Sequence, residues 1–292
     1  SYKSLDYVCC WFYKAAKLII NCNGRAALVS TNSIVQGEQV AIFWPEMFEL
    51  VDIDFAYDSF KWSNSAANPA GVTVVIIGFS NKNNHSIKYL YSTDNQRRKV
   101  ENINAYLAEE INIYVKNSRT NLYDLPVMVM GSMPIDGGGL IIKSFEEYIE
   151  KRYPELKPYI RKFIGAKEFI NDKQRYVLWL GENEYSRIKD NPFIKERMDI
   201  VIAERSKEKA KESTKKAAST PYKFGEIRHR DTEGIIIPRV SSENRYYVPM
   251  GIVGPDIIIS DSAMAIYDAP IYLLGLLESR MHMTWMRAIG GK

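Results

Sequence analysis

The chain has 292 residues, of which 46% are hydrophobic and 25% are charged, and this composition excludes bulk disorder and suffices for two packed domains. The formal net charge is only +4, so charge alone is weak evidence for a polyanionic partner. Apolar stretches are interrupted by Lys, Asn or Asp well short of a bilayer span, so neither a signal peptide nor a membrane span is predicted.

The first eighty residues predict alternating helices and buried strands. Helical spacing and β-branched runs place helices over 5–20 and 37–48, and strands over 25–30, 51–57 and 72–79. Such an alternation predicts an α/β layer with a largely parallel sheet. A polar break at 81–84 places a domain boundary near residue 84, which gives domains of 1–84 and 85–292.

The remaining residues predict a mixed α+β domain. The pattern favours a strand over 175–180 and several short strands within 222–259; it favours helices over 141–156, 158–170 and 270–287, and one or two long charged helices over 184–219. The glycine run 137–139 lacks the spacing of a phosphate-binding loop, so it is interpreted as a turn.

Cysteine usage gives no metal-site signal. Cys9, Cys10 and Cys22 form no CxxC pair and no cluster with histidine, so no metal site is predicted. Their apolar setting is typical of reduced, buried thiols, which indicates a cytoplasmic protein. Asp256, Asp261 and Asp268 are interpreted as turn residues rather than metal ligands.

The basic residues are concentrated in one window. Between Arg205 and Arg245 there are eleven Lys or Arg and six Asp or Glu, a balance of +5, so the rest of the chain sums to −1. A local basic excess of this kind suits a surface that faces phosphates. A solvated Lys/Glu helix has the same composition, so the window alone leaves both readings open.

Several long runs resemble one family of enzymes. They are LDYVCCWFYKAAKLI, RAALVSTNSIVQGEQVAIFWP, IDFAYDSFKWSNSA, GVTVVIIGF, PYKFGEIRH and IIIPRVSSENRYYVP. The early runs resemble the second half of the catalytic domain of gamma-type DNA adenine-N6 methyltransferases. The set as a whole is similar to type IIL restriction–modification enzymes of the MmeI kind, which fuse nuclease, methyltransferase and target-recognition domains. The resemblance implies an α/β partial Rossmann-like methyltransferase sheet followed by a mixed α+β target-recognition domain.

The resemblance also implies a place for the target base. Enzymes of this family flip the adenine out of the duplex and hold it against aromatic side chains. Phe60 occupies one stacking position, on the loop before the last hydrophobic strand, and Trp62 and Asn64 are expected to shape that pocket. Packing of Trp62 onto its own domain is an equal alternative for that residue.

The departures from the family pattern bear on catalysis. The FxGxG turn, the NPPY or NPPF loop and the nuclease motif are missing, so no catalytic set is complete. Asn68-Pro69 does not provide the NPPY or NPPF loop, because Ala70-Gly71 follows it. S-adenosylmethionine is therefore expected as the cofactor of a longer parent enzyme, and Mg²⁺ as that of any parent nuclease. This chain alone is expected neither to bind the cofactor tightly nor to methylate DNA. A truncated sheet would expose an edge, so a homodimer through that edge is expected.

Double-stranded DNA is the partner that the resemblance implies. Lysines on the charged helix suit phosphates, and arginines near acceptors on tight loops suit base edges. The candidates are Lys209, Lys211, Lys215, Arg228, Arg230, Arg239, Glu243, Asn244 and Arg245. An alternative is a DNA-binding specificity module that acts with a separate catalytic subunit, although such a module has no need of Phe60 and Trp62 beside a partial sheet.

Overall fold

The computed structural model describes residues 2–22, 24–62, 71–82, 84, 86–94, 96–118, 123–242 and 245–290. The chain divides into two compact units, which we call the first unit (Ser1–Thr120 with Thr284–Lys292) and the second unit (Asn121–Met283). Both combine helices with sheets, so the structure is of the mixed α/β kind. No helix within the described residues is long and apolar enough to cross a membrane.

Within the described residues, the part of the first unit before residue 121 contains one five-stranded sheet and two α-helices. Its elements are α1 (Val8–Ile19), β1 (Arg25–Thr31), α2 (Gly37–Leu50), β2 (Val51–Lys61), β3 (Thr73–Asn81), β4 (Lys88–Tyr91) and β5 (Arg97–Val100). The strand order is β1-β3-β2-β4-β5. Because β4 pairs with β2, the sheet continues past residue 84, and the domain boundary predicted there stays a prediction.

The expectation of a largely parallel sheet is wrong. β3 is antiparallel to both β1 and β2, and β4 is antiparallel to β5, so only the β2–β4 pairing is parallel. β2 and β3 are joined by residues 62–72, fewer than the dozen or more that a crossover between parallel neighbours needs. β3 therefore returns antiparallel between β1 and β2, which themselves run in one direction and are joined by α2.

Aromatic side chains form the core of the first unit. Phe12 of α1 stacks on Phe79 of β3 with ring centroids 5.8 Å apart, and the fully buried Trp44 donates its indole N–H to the Ile34 carbonyl at 2.8 Å. This burial explains the apolar helical spacing seen in the sequence.

The cysteines differ from their predicted burial. Cys9 is buried, and burial, reinforced by Asp6, raises the pKa of its thiol to about 11. Cys10 and Cys22 are exposed, because their positions on and after α1 lie away from the sheet-facing side that Cys9 and Phe12 occupy. The prediction of buried thiols therefore holds for one cysteine and is wrong for two.

In the part of the second unit that the structure describes, the strands form two four-stranded sheets. Its elements are β6 (Val129–Met130), β7 (Ile141–Ile142), β8 (Ile160–Ile164), α3 (Ala166–Ile170), β9 (Tyr176–Leu178), α4 (Glu182–Ile188), α5 (Pro192–Arg205), α6 (Glu212–Lys216), β10 (Gly234–Pro238), β11 (Gly251–Val253), β12 (Ile257–Ile259), β13 (Ala263–Tyr267) and α7 (Ile271–Leu277), and α8 (Arg280–Ile289) follows. The strand orders are β11-β10-β13-β6 and β12-β8-β9-β7.

Several helix predictions in this unit are wrong in extent. The helix expected over 158–170 contains the strand β8, because β8 pairs with β12 on one side and with β9 on the other. The long charged helix is divided into α4, α5 and α6. Asn191 begins α5 by accepting the Phe193 N–H at 2.9 Å, and Pro192 occupies the first helical position, where it is tolerated.

The glycine run forms the predicted turn. Gly137 and Gly138 have φ of 58° and 89°, in the left-handed region that favours glycine. Buried Asp136 closes this turn by accepting the Leu140 N–H at 2.7 Å.

A buried arginine joins α5 to two loops. Arg205 is fully buried and donates five hydrogen bonds to backbone carbonyls, namely Pro134, Ile135, Ala217, Thr220 and Lys223. Burial lowers the pKa of its guanidinium from the ordinary value, and Asp136 opposes that effect. Arg205 therefore does not belong to a phosphate-facing surface, in contrast to its place in the basic window of the sequence.

Candidate nucleic-acid interface

In the first unit, the predicted stacking residue lies at the end of a strand. Phe60 is part of β2 rather than of a loop, and it pairs with Val74 of β3. The register shifts between Tyr57 and Phe60, and such a bulge changes the direction in which the following side chains point. Phe60 remains partly exposed.

Trp62 follows directly after this strand. Its N–H donates to the Val72 carbonyl at 2.8 Å, which extends the β2–β3 ladder by one bond. Its indole is exposed, so the described residues do not bury it in the domain. Asn64 lies outside the described residues. The stacking role of this set stays a prediction.

In the second unit, two of the predicted DNA-contacting arginines line one cleft of about 730 Å³. We call it the arginine cleft. Its lining residues are Asp124, Leu125, Pro126, Val127, Val129, Ile227, Arg228, His229, Arg230, Tyr267 and Asp268. Cationic, anionic, aromatic and apolar groups thus meet in one concave surface, as binding clefts require.

The arginine segment is held by its backbone. The Oγ of fully buried Ser132 accepts the N–H groups of Arg228 at 3.0 Å and His229 at 3.1 Å. Two residues earlier, Glu226 exchanges two backbone hydrogen bonds with Met133. These bonds fix the path of residues 226–229 against the segment that follows β6.

Ser132→Ala is expected to lower the free energy of unfolding by about 2 kcal/mol, because two backbone N–H groups lose their buried acceptor. Urea unfolding followed by circular dichroism measures this change. Ser219→Ala is the matched control, since the Ser219 hydroxyl is exposed and donates only to the Lys216 carbonyl. Equal stability of the two variants would show that Ser132 does not support the arginine segment.

The two arginines are fixed to different degrees. Arg228 forms an ion pair with Glu226, and its other terminal nitrogen donates to the Gly131 carbonyl at 3.2 Å. Arg230 forms an ion pair with Asp268 at 3.3 Å and is largely exposed. A carboxylate on one edge of a guanidinium restrains its orientation and leaves the other donors for a ligand.

His229, between the two arginines, turns inward. Its side chain is almost completely buried beside the rings of Trp179 and Tyr267. Burial lowers the pKa of His229, and Asp231, whose Oδ1 lies 3.3 Å from Nε2, opposes the shift. Burial also raises the pKa of Tyr267 to about 12. Burial therefore favours the neutral forms of His229 and Tyr267, which both line the cleft.

The other predicted DNA-contacting residues are spread over the second unit. Arg239 donates to the Asp261 carbonyl at 3.2 Å, and the Arg245 N–H donates to the Ser242 carbonyl at 3.0 Å. Lys209 and Lys211 are exposed between α5 and α6, and Lys215 pairs with Glu212 at 3.4 Å. Glu243 and Asn244 lie outside the described residues.

Comparison with known proteins assigns these two regions. Residues 109–292 match the family model described as MmeI, target recognition domain, and residues 1–92 match MmeI, DNA-methyltransferase domain. The chain belongs to the MmeI family. The resemblance drawn from the sequence is therefore confirmed.

Two relatives support membership of the MmeI family. DNA methyltransferase A of Bacillus subtilis (strain 168) is 48% identical over 293 residues, which cover 99% of this chain and 33% of the relative. The structure of the type IIL restriction–modification enzyme MmeI in complex with DNA is 37% identical, with a TM-score of 0.86 over 98% of this chain and 39% of that one. The chain thus spans between a third and two fifths of these proteins.

The MmeI-family methyltransferase region does not contain a recognisable cofactor site in its described part. β1 is followed by a short helical turn, Asn32–Val35, and a single glycine, Gly37, rather than the glycine-rich turn that holds a nucleotide-like cofactor. The described residues therefore do not fit S-adenosylmethionine by themselves. Within the same residues, no three His, Cys, Asp or Glu side chains come close enough to hold a metal ion.

Among the residues that line or support the arginine cleft, Ser132, Tyr267 and Asp268 were not predicted from the sequence. Ser132 lies 96 positions before Arg228, and Asp268 was interpreted only as a turn residue. Tyr267 is the last residue of an apolar strand, β13. Pairing of distant segments brings these residues to the arginines, and no local pattern marks them. Arg228 and Arg230, by contrast, lie in the basic window that the sequence shows.

Proposed function

We propose that this chain recognises a specific double-stranded DNA sequence within a larger enzyme that methylates adenine at N6, with S-adenosylmethionine as methyl donor. The observation that carries the proposal is the arginine cleft in a region that matches a target recognition domain. The match of residues 1–92 to a methyltransferase domain favours this function over a specificity module that acts with a separate catalytic subunit.

The chemistry of the cleft suits base edges in the major groove. An arginine fork matches O6 and N7 of guanine, and a carboxylate accepts from N4 of cytosine. Arg230 is held by Asp268 and Arg228 by Glu226, so each charge is presented with a restrained orientation. Lys209, Lys211 and Lys215 would supply phosphate contacts, which position the duplex without reading it.

The first unit would present the target base. β1 and β2 run in the same direction and are joined through α2, which supports a partial Rossmann-like methyltransferase sheet in residues 1–84. In this proposal Phe60 stacks on the flipped adenine, and Trp62 and Asn64 border the pocket. The reacting methyl group would come from the cofactor, which residues outside the described set would hold.

Three further features belong to the same proposal. A parent enzyme of the type IIL kind would also contain a nuclease that uses Mg²⁺. β1 is an edge strand among the described residues, so a second copy of the chain would pair there. An enzyme that modifies bacterial DNA would act in the cytoplasm.

Arg230→Ala and Arg245→Ala test the reading of bases. For an arginine that makes a bidentate base contact, the substitution should weaken the binding free energy for the preferred base pair by about 1–3 kcal/mol. It should also relax specificity at that position. The measurement is fluorescence anisotropy with a 30-bp duplex enriched from a random library by the unmodified chain, and with variants of that duplex at each position.

Lys211→Ala is the control for a phosphate contact. It should weaken binding to all duplexes by the same factor and lower the salt dependence by about one counterion. If both arginine variants behave like Lys211→Ala, the arginines contact phosphates and the base-reading part of the proposal is contradicted.

A further inference from the structure

A long loop connects two paired strands of the second unit. β10 ends at Pro238 and β11 begins at Gly251, although the two strands are antiparallel neighbours. Most hairpin connections have two to five residues, and longer ones in compact domains are commonly functional. We call the described part of this connection, residues 239–242 and 245–250, the tyrosine loop.

The tyrosine loop exposes apolar and aromatic side chains. Tyr246 is 64% exposed and Tyr247 is 40% exposed, with their ring centroids 5.1 Å apart in an edge-to-face arrangement, and Val240 is 77% exposed. Exposed aromatic rings add little to the stability of a fold, so a group of them on a loop indicates a contact surface.

Charge indicates the kind of partner. Arg239 directly precedes Val240 and Arg245 directly precedes Tyr246, with Glu243 as the acid of the same connection, and Arg239 donates to the Asp261 carbonyl at the base of the loop. A partner for this surface must combine anionic groups with flat apolar faces. A DNA duplex offers phosphates beside stacked bases. Proteins commonly bind nucleic acids with arginine side chains on the phosphates and aromatic side chains on the bases.

The position of the loop agrees with one continuous DNA contact. Gly234 of β10 pairs with Tyr267, which lines the arginine cleft, whereas Pro238 at the other end of β10 pairs with Ala263 and leads into the tyrosine loop. The strand between them spans about 13 Å, or about four base-pair steps. β10 itself is buried within its sheet, but a duplex on the surface that runs parallel to β10 would span the distance between the two.

We propose that Tyr246 and Tyr247 enter the duplex and stack against a partly unstacked base step, as a second DNA contact beside the arginine cleft. This inference rests on the proposed DNA recognition. Because the rings are edge to face, one ring can offer its face to a base while the other supports it. Side chains that act in this way kink or open the duplex at the step they enter.

The test combines affinity with base stacking. The 292-residue chain, a Tyr246→Ala/Tyr247→Ala variant and a Tyr246→Phe/Tyr247→Phe variant are titrated against the library-enriched 30-bp duplex, with 2-aminopurine placed at successive positions. Tyr272→Ala is the matched control, since Tyr272 of α7 is 58% exposed.

The double alanine variant is expected to bind about tenfold more weakly or worse, with the salt dependence unchanged because no charge is removed. The rise in 2-aminopurine fluorescence at one step should disappear. The double phenylalanine variant should keep both properties, and Tyr272→Ala should bind like the unmodified chain.

Two outcomes separate this inference from the proposed function. If the double alanine variant keeps its affinity and the fluorescence rise, or only its sedimentation changes, the tyrosine loop does not enter DNA. If the unmodified chain binds neither the enriched nor a scrambled duplex above background, DNA recognition itself is contradicted. A melting temperature equal to that of the unmodified chain establishes that the variants are folded.

Discussion

Replacing Arg205 with alanine is expected to lower the free energy of unfolding of the second unit by about 4 kcal/mol. The substitution removes all the donors that reach five backbone carbonyls, at distances from 2.6 to 3.2 Å. It also leaves a cavity in place of a fully buried side chain. Unsatisfied buried acceptors and an unfilled cavity each lower the free energy of unfolding, so this is the largest decrease in stability that we expect from replacing a single side chain.

Arg205→Lys separates charge from geometry. An ammonium keeps the charge but has three donors and no planar fork, so most of the loss should remain. Urea unfolding followed by circular dichroism measures both variants, and amide hydrogen exchange in residues 134–140 and 217–223 reports where protection is lost. The control is Arg187→Ala on the exposed side of α4, which should change stability by less than about 0.5 kcal/mol. A lysine variant as stable as the unmodified chain would contradict the multiple-carbonyl role.

Gly131→Ala is expected to cost about 3 kcal/mol and to abolish sequence-specific DNA binding. A Cβ at this position would lie 2.2 Å from the Ser260 carbonyl oxygen and 2.6 Å from that of Ile259. Both are backbone atoms that cannot rotate away, so the strand itself must shift. Because Gly131 also accepts from Arg228 and precedes Ser132, the shift should displace the arginine segment.

Gly275→Ala is the matched control. An added Cβ meets no atom within 4 Å there, and alanine favours the helix by about 1 kcal/mol. This variant should be as stable as the unmodified chain or more so, and it should bind the enriched duplex normally. Thermal unfolding and anisotropy measure both properties, and equal behaviour of the two glycine variants would show that close packing at Gly131 is unimportant.

The sequence predicted the elements whose information is local. The apolar spacing of α1, the β-branched run of β3 and the glycine turn at Gly137 are found in the structure. β8 was predicted as helix, since its strand character depends on β9 and β12, which arrive from later in the chain. The parallel arrangement was wrong because strand direction depends on connection length and insertion order.

For the candidate site too, residues marked by a local sequence pattern were predicted and residues that depend on distant contacts were not. The short window with a charge excess contains Arg228 and Arg230, which line one cleft in the structure, and clustered charge of this kind is visible in one dimension. Arg205 came from the same window and is buried, since its partners are carbonyls, which any residue type supplies. Ser132 and Asp268 act through contacts 96 and 38 positions away, where neighbouring residues give no indication.

The attachment of the arginine segment has a consequence for how specificity changes during evolution. Ser132 and Met133 hold residues 226–229 through main-chain groups, which every amino acid except proline provides. These backbone attachments therefore do not depend on which side chain stands at 228. Under the proposed function, a lineage can exchange the side chain at 228, and with it the preferred base pair, while these backbone attachments stay intact.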